Sequence, residues 1–294
     1  MSQFLYSIVI PHYNSPLLLQ RMLDSIPQRE DIQVIVVDDC STADNIEQLK
    51  LCHHSNLEIV YLSENHGAGY ARNIGLSKVE GKWLLVVDAD DYFAENAFIV
   101  FDKYAESDYE YVCYCISALN CNSVKNGRKI VSDQIVRKYL ENKNEKTLLA
   151  FRYLNNVCWN KLVMNDFVNV NKINFEESLV NNDVRYNLSI GLKAKKFIVI
   201  PDELYCAVEN KSSITRKKRD LEREFMFFLQ VQKRNGFYEK LGLKHYPFYR
   251  RTILYFPYLW KKRGLSDAIK FFKMIKERKT EIAEVRKAYW YLFE

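Results

Sequence analysis

The stretch Trp83-Leu84-Leu85-Val86-Val87-Asp88-Ala89-Asp90-Asp91 drives an apolar run directly into three carboxylates. A continuous apolar run of this kind marks a strand covered on both faces, as in a parallel sheet. Carboxylates are not tolerated inside such a strand, so the chain must leave the sheet core at Asp88. In open α/β sheets, ligands collect at the carboxyl ends of the strands. Asp88, Asp90 and Asp91 are therefore candidates to hold a hard cation and a phosphorylated ligand. The same letters also spell an Asx turn with an acidic helix start, and only the surrounding sequence separates the two readings.

That surrounding sequence repeats the rhythm. Apolar strands are predicted at Tyr6–Ile10, Gln33–Val37 and Glu58–Leu62 as well as Trp83–Val87, alternating with helical segments in the βαβ pattern of an α/β fold. Ser15-Pro16 opens a helix, with a hydroxyl available as cap and proline at the first helical position, where its missing N–H costs nothing. Leu18, Leu19, Met22 and Ile26 give this helix an inward stripe. Further helices are expected over Gly69–Val79 and Ala94–Tyr104. Beyond Ala118 the pattern loosens: Asn120–Asp133 reads as a loop, Asp183–Gly191 as a helix, and Phe197–Ile200 as a late strand closed by Pro201. Leu221–Gln232 and Asp267–Tyr291 have helical spacing, striped by Phe225, Phe228 and Leu229 and by Ile269, Phe272 and Ile275.

Of 294 residues, 48% are hydrophobic and 27% charged, an ordinary globular balance that argues against disorder. Met1–Gln3 leads directly into Phe4–Ile10 without a basic region or cleavage site, so no secretory signal is expected, and no apolar run reaches the length of a membrane span. Seven scattered cysteines fit a reducing cytoplasm better than a disulfide framework. Cys113 and Cys115 alternate along a predicted strand and read as buried thiols rather than zinc ligands, and the histidines show no metal-ligand spacing. Charge is uneven. From Lys211 to Glu294 there are 22 Lys and Arg against 9 Asp and Glu, or +13, whereas residues 1–210 hold 21 against 28, or −7. Tyr246–Arg263 interleaves aromatic residues with Arg250, Arg251, Lys261, Lys262 and Arg263, which suits either a lipid headgroup zone or a plain helical subdomain. No nucleic-acid motif accompanies the charge, so nucleic acid is not an expected partner.

Every predicted strand of the first hundred residues ends in polar sequence. The ends are Pro11-His12-Tyr13-Asn14, Asp38-Asp39-Cys40-Ser41, the segment Asn65 to Asn73, and Asp88-Ala89-Asp90-Asp91. In a doubly wound sheet they converge on one crevice and can form a single nucleotide site. At these positions the chain resembles the family 2 glycosyltransferases, which show Val-Ile-Pro-x-Tyr-Asn, Val-Asp-Asp-x-Ser, Asn-x-Gly-x-x-x-Ala-Arg-Asn-x-Gly and Asp-Ala-Asp-Asp. The matching residues are Pro11, Tyr13 and Asn14; Asp38, Asp39 and Ser41; Asn65, Gly67, Ala71, Arg72, Asn73 and Gly75; and Asp88, Ala89, Asp90 and Asp91. The match is strong over roughly residues 5–105, weaker to about 216, and does not specify the tail.

The resemblance implies a GT-A fold: a Rossmann-like, doubly wound mixed sheet with helices on both faces. It would occupy residues 1–215, with 1–105 as the nucleotide-sugar half and 106–215 as the acceptor half, followed by a basic helical C-terminal extension, 216–294. The implied activity is cytoplasmic, metal-dependent, inverting transfer of a sugar from a UDP-sugar to a hydroxyl of a growing surface glycan, such as capsule or lipopolysaccharide. Mn²⁺ or Mg²⁺ would be the cofactor and a glycan or lipid-linked oligosaccharide the acceptor; a peripheral contact of the tail with the inner membrane rests instead on its basic, aromatic composition, beside the reading as a plain helical subdomain.

The implied roles have physical sense. Tyr13 offers a ring to the nucleobase, Asp39 accepts from the uracil imide, and Asp38 helps at base or ribose. Arg72 offers a fork of donors to a phosphate, Pro11 and Asn65 count among the nucleotide-sugar-binding residues, and Gly67 and Gly69 allow close backbone approach. Asp90 is the expected metal ligand, with Asp88 near the ribose or a metal-bound water; Asp91 either joins them or caps the next helix. The catalytic base aligns with Asp183, after Trp159-Asn160-Lys161-Leu162. Asn182 stands where the family usually has Glu. Helix capping is the alternative role of Asp183, and Glu176 and Glu177 are second candidates for the base. Trp159 is either a floor for the acceptor sugar or a core tryptophan, and Lys161 either a solvated charge or a diphosphate contact. Tyr205 and Ser212–Arg216 resemble a late loop that folds over the donor. A nucleotidyltransferase or a dinucleotide dehydrogenase lacks support because no glycine-rich loop follows Ile10. An inactive nucleotide- or glycan-binding scaffold would not need Asp39, Asp88 and Asp90 intact.

Overall fold

Four apolar segments of the first hundred residues pair in parallel: β1 (Tyr6–His12), β2 (Ile32–Asp38), β3 (Leu57–Tyr61) and β4 (Trp83–Val86). Helices α1 (Pro16–Asp24), α2 (Ala43–Leu49) and α3 (Ala68–Leu76) connect them. The computed structural model describes residues 4–119, 130–178, 181–209, 220–244 and 254–293. After β4 follow β5 (Tyr92–Phe93), α4 (Ala97–Asp102), β6 (Tyr111–Leu119), α5 (Val131–Glu141), α6 (Glu145–Leu154), β7 (Lys161–Met164), α7 (Asn165–Val170), α8 (Val184–Lys193) and β8 (Phe197–Val208). They complete an eight-stranded mixed sheet of order β3-β2-β1-β4-β7-β6-β8-β5, in which β7 runs antiparallel to both neighbours.

The apolar runs are continuous because alternate residues feed two cores. On one face Ile8 and Ile10 of β1, Val34 and Val36 of β2 and Leu85 of β4 pack with α1 and α4 through Leu19, Met22, Phe98 and Phe101. On the other face Val9, Ile35, Val37, Leu84 and Val86 pack with Ala71, Val136, Phe151, Phe167 and Tyr186, from α3, α5, α6, α7 and α8. This is the doubly wound mixed sheet expected.

Several boundaries differ from the sequence reading. Pro201 does not close the last strand: β8 runs on to Val208, and its pairing with β6 jumps from Tyr114↔Ile200 to Cys115↔Glu203, so the residue without an N–H falls in a bulge. The helix expected over Ala94–Tyr104 is shorter, starting at Ala97 behind the short strand β5. The Asn120–Asp133 loop falls largely outside the described residues, and its last residues, from Val131, already belong to α5.

The chain divides into two compact units, Met1–Ser213 and Ile214–Glu294. The second is helical: α9 (Leu221–Lys240), α10 (Tyr255–Arg263), α11 (Leu265–Glu277), α12 (Lys279–Val285) and a closing 3-10 turn, Trp290–Phe293. Asp220 caps α9 by accepting from the Arg223 N–H at 2.8 Å. Phe225, Phe228, Val231, Tyr255, Leu259, Ala268 and Phe271 form its core. No helix among the described residues is long and apolar enough to cross a membrane.

Candidate active site

The turns after β1 and β2 are locked together. Asp38, fully buried at the end of β2, accepts from His12 Nδ1 at 2.7 Å and from the Ser41 hydroxyl and N–H at 2.5 and 3.0 Å. The Ser15 N–H donates to His12 Nε2 at 3.2 Å, which leaves the imidazole proton on Nδ1. Burial opposes the Asp38 charge, but the His12 and Ser41 hydrogen bonds outweigh it and hold this carboxyl below the usual carboxylate range. Asn14, at φ 52°, takes the Thr42 N–H on its side-chain oxygen at 2.8 Å. The expected contact of Asp38 with base or ribose is thereby corrected: the carboxylate is fully buried, where it ties the turns after β1 and β2 together. His12, which the sequence reading set aside, continues the inward face of Ile8 and Ile10, and that alternation was the available signal.

Asp39 points the other way along the chain. Its two oxygens accept from the His66 and Gly67 N–H groups, each at 2.8 Å, and the Asn65 amide donates to its carbonyl at 2.9 Å. Asn65 thus holds the loop that Asp39 organises. Gly67, at φ 87°, turns that loop into α3 in a conformation side chains disfavour. Asp39 is itself buried, and each of its oxygens retains one further acceptor lone pair. Pro11 lies in β1 opposite Val37, and Tyr13 stands 50% exposed on the turn that follows.

At the end of β4, Asp88, Asp90 and Asp91 bring ligand oxygens within 4.8 Å of one another. Arg21 of α1 donates to the Asp90 carbonyl. The Asp91 carboxylate, buried, accepts from the Val208 N–H of β8 at 2.7 Å. Burial first, and then the Asp88 and Asp90 charges, push the Asp91 carboxyl well above its ordinary range. Asp91 therefore anchors the turn to β8, and the helix-cap reading fails because Asn96 is the residue before α4. An oxygen-only set of crowded carboxylates fits a hard divalent cation such as Mn²⁺ or Mg²⁺, whose charge would relieve their repulsion.

Arg72 departs from expectation. Its guanidinium is buried, donating to Asp88 Oδ1 at 2.6 Å and to Asn182 Oδ1 at 2.7 Å, and lies over the Phe175 ring at 5.3 Å. Arg72 thereby bridges Asp88 to the segment that carries Asp183, which uses two of its five N–H donors, and its buried Nε has no partner among the described residues. The next residue completes the tether. Asn73 exchanges hydrogen bonds with the Phe175 backbone at 3.1 and 2.8 Å and donates to Glu177 at 3.0 Å. Gly69 is required here by close approach, since a Cβ would sit 2.1 Å from the Glu176 carbonyl oxygen. Asn182, which breaks the family pattern, supplies a neutral acceptor to Arg72.

Asp183 immediately precedes α8, and its side chain makes no cap hydrogen bond; its carbonyl instead accepts from the Asn187 amide at 2.7 Å. The capping alternative is thus not realised. Half-buried, the carboxyl is pushed up to about 6 by burial, with the Arg72 charge opposing and the Asp88 charge reinforcing the shift. The preceding residue, Asn182, accepts from Arg72 at 2.7 Å, which ties the chain at Asp183 to the Arg72–Asp88 pair. Glu177, hydrogen-bonded to Asn73, is exposed, and Glu176 is fixed through its N–H to the Asn182 carbonyl at 3.0 Å.

Lys161 is a further correction. It is buried, and its ammonium donates to the carbonyls of Val157 and Asn155 and to Asn160 Oδ1 at 2.7, 3.4 and 2.9 Å, which uses its three donors. Burial lowers its pKa to about 8. It is neither a solvated charge nor a diphosphate contact; it holds the turn that presents Trp159. Trp159 is half-buried and stacks on Tyr205 at 5.2 Å. Tyr205 belongs to β8, is fully buried, and receives the Asp88 N–H on its hydroxyl at 3.0 Å, so it is part of the frame rather than of a mobile loop. Ser212–Arg216 lies outside the described residues.

This arrangement has relatives. The chain is 27% identical over 207 residues to the poly(ribitol-phosphate) β-N-acetylglucosaminyltransferase TarS of Staphylococcus aureus strain MW2, covering 68% of this chain and 35% of the relative. It is 28% identical over 209 residues to the poly(ribitol-phosphate) β-glucosyltransferase of Bacillus spizizenii, covering 68% of this chain and 31% of that protein. It therefore spans about a third of the length of these curated relatives. A crystal structure of S. aureus TarS 1–349 in complex with UDP-GlcNAc superposes with a TM-score of 0.58 at 22% identity, over 78% of this chain and 66% of that one, a likeness of fold. The profile of glycosyl transferase family 2 matches residues 7–167, more than half of the chain, and the chain belongs to that family.

Proposed function

We propose that this chain is an inverting glycosyltransferase that moves a hexosyl or N-acetylhexosaminyl group from a UDP-sugar to a hydroxyl of a surface glycan. The observation that carries the reading is Asp183: a half-buried carboxylate with no capping duty, in electrostatic reach of Arg72 and Asp88. Tyr13 and Asp39 take the base, and residues 1–105 as a whole bind the donor. Asp88 and Asp90 would hold a divalent cation, which would offset charge on the departing nucleoside diphosphate as a Lewis acid. Residues 106–215 present the acceptor, with the half-buried Trp159 as a floor for its sugar. Asp183 accepts the proton of the acceptor hydroxyl as its oxygen bonds to the anomeric carbon. The bond from that carbon to UDP breaks on the opposite face, and configuration inverts.

The names of the relatives favour a polyol-phosphate or related cell-envelope polymer as acceptor, and both N-acetylglucosamine and glucose as donor sugars to be tried first. The six described cysteines are free thiols, in keeping with action in a reducing cytoplasm. The test is Mn²⁺-dependent hydrolysis of a UDP-sugar panel followed by acceptor addition. Failure of UDP and of every UDP-sugar to bind with Mn²⁺ present overturns the donor assignment.

A further inference from the structure

The helical unit carries an apolar strip that runs outward from its core: Phe256 and Phe272 pack against that core, and Trp260, Leu265 and Ile269 extend the strip into solvent. Tyr255, Leu259, Ala268 and Phe271 face inward from α10 and α11, whereas Trp260, Leu265 and Ile269 are 54%, 47% and 55% exposed. At 3.6 residues per turn, Leu265, Ile269 and Phe272 line one side of α11. The Phe272 ring meets Phe256 at 5.2 Å, and Phe256 meets Trp260 at 6.4 Å, so the strip is continuous across both helices. It is also rimmed with positive charge. Lys276 shares its side of α11, Lys273 lies one step around, and Lys261 follows Trp260. Across residues 254–278 seven Lys and Arg stand against two acids, Asp267 and Glu277. Asp267 is paired with Arg263 at 3.0 Å and Glu277 lies 3.9 Å from Lys273, which leaves no acid to counter Lys261 or Lys276 within this hairpin.

Apolar and aromatic groups bordered by lysines match one surface chemistry best. We propose that this face of α10–α11 docks on an anionic lipid bilayer, with Trp260, Leu265 and Ile269 entering the headgroup–acyl boundary and Lys261, Lys273 and Lys276 meeting lipid phosphates. A second copy of the chain would bring like-charged rims together, and a nucleic acid would leave the aliphatic side chains unsatisfied. The docking is independent of the transfer chemistry at the other unit.

The test is flotation of the full chain with vesicles of phosphatidylcholine alone or with about one third phosphatidylglycerol. Binding is expected to the anionic vesicles, to weaken with salt, and to fall about tenfold or more in the double variant Trp260→Ser/Ile269→Ser. The charge reversal Lys273→Glu/Lys276→Glu should lower it by a similar factor. The altered side chains are exposed, and circular dichroism should show an unchanged fold. No binding to anionic vesicles, equal binding to neutral ones, or unchanged binding of both variants overturns the proposal. So does lipid-free self-association that Ile269→Ser abolishes, which would make the strip a protein interface.

Discussion

Replacing Asp183 by Asn separates catalysis from folding, because the structure predicts opposite signs for the two. As the base, the carboxylate must be ionised. With its pKa pushed up to about 6, it is mostly charged at pH 7, and transfer should fall about tenfold between pH 7 and pH 5 along a limb of slope one. The amide cannot accept the proton, so Asp183→Asn should lower transfer by roughly 10²- to 10⁴-fold and abolish that limb. Stability moves the other way. A carboxyl whose folded pKa lies above its ordinary 3.8 binds its proton more tightly in the native state, so the ionised form costs stability above pH 6. That cost is relieved as pH falls from about 6 towards 4. A two-unit shift sets its ceiling at about 3 kcal/mol, less the screening that a half-buried group receives. The variant should therefore melt at or above the wild-type temperature at pH 7.5. A helix-capping Asp would instead cost about 1 kcal/mol on replacement. Transfer is read by UDP release with a defined acceptor across pH 5–8, donor binding by calorimetry with UDP and Mn²⁺, and stability by thermal melts. Near wild-type transfer, or an acid limb that persists in the variant, refutes the assignment of the base.

Other perturbations test the frame. Gly69→Ala forces the Glu176 carbonyl away from a Cβ placed at 2.1 Å and should cut transfer by about tenfold or more while UDP still binds; equal loss of UDP binding would count against the tether. Asp38→Asn breaks the buried His12 pair and should destabilise by about 2 kcal/mol at pH 7. Because the Asp38 carboxyl is held below its ordinary range, the wild-type advantage should persist above pH 4 and vanish as acid protonates it, as melts against pH will show. Asp90→Asn should weaken UDP binding about tenfold in Mn²⁺ and little in chelator; the same loss in both would remove Asp90 from the metal site.

Much of this protein was legible in order along the chain. The continuous apolar runs at Tyr6–Ile10, Gln33–Val37 and Trp83–Val87 could be satisfied only by strands with a core on each face, because alternate side chains of a strand point opposite ways. The polar residues that ended those runs had to lie at one sheet edge, so spacing groups Asp38, Asp39, Asp88 and Asp90 there, while the role given to each came from the family resemblance. What spacing does not carry is the identity of a partner a hundred residues away. Arg72 reads in sequence as a phosphate fork, and only the fold adds Asn182, just before α8, at one terminal nitrogen and Asp88, after β4, at the other. Lys161 reads as a surface charge until the turn 155–160 closes three oxygens around it. Asp38 and Asp39 are neighbours with the same side chain. Strand alternation sends one inward to His12 and leaves the other to order the loop before α3. The local code sets period and burial, whereas the use of each charge depends on which segments the sheet topology brings together, and that was decided only in three dimensions.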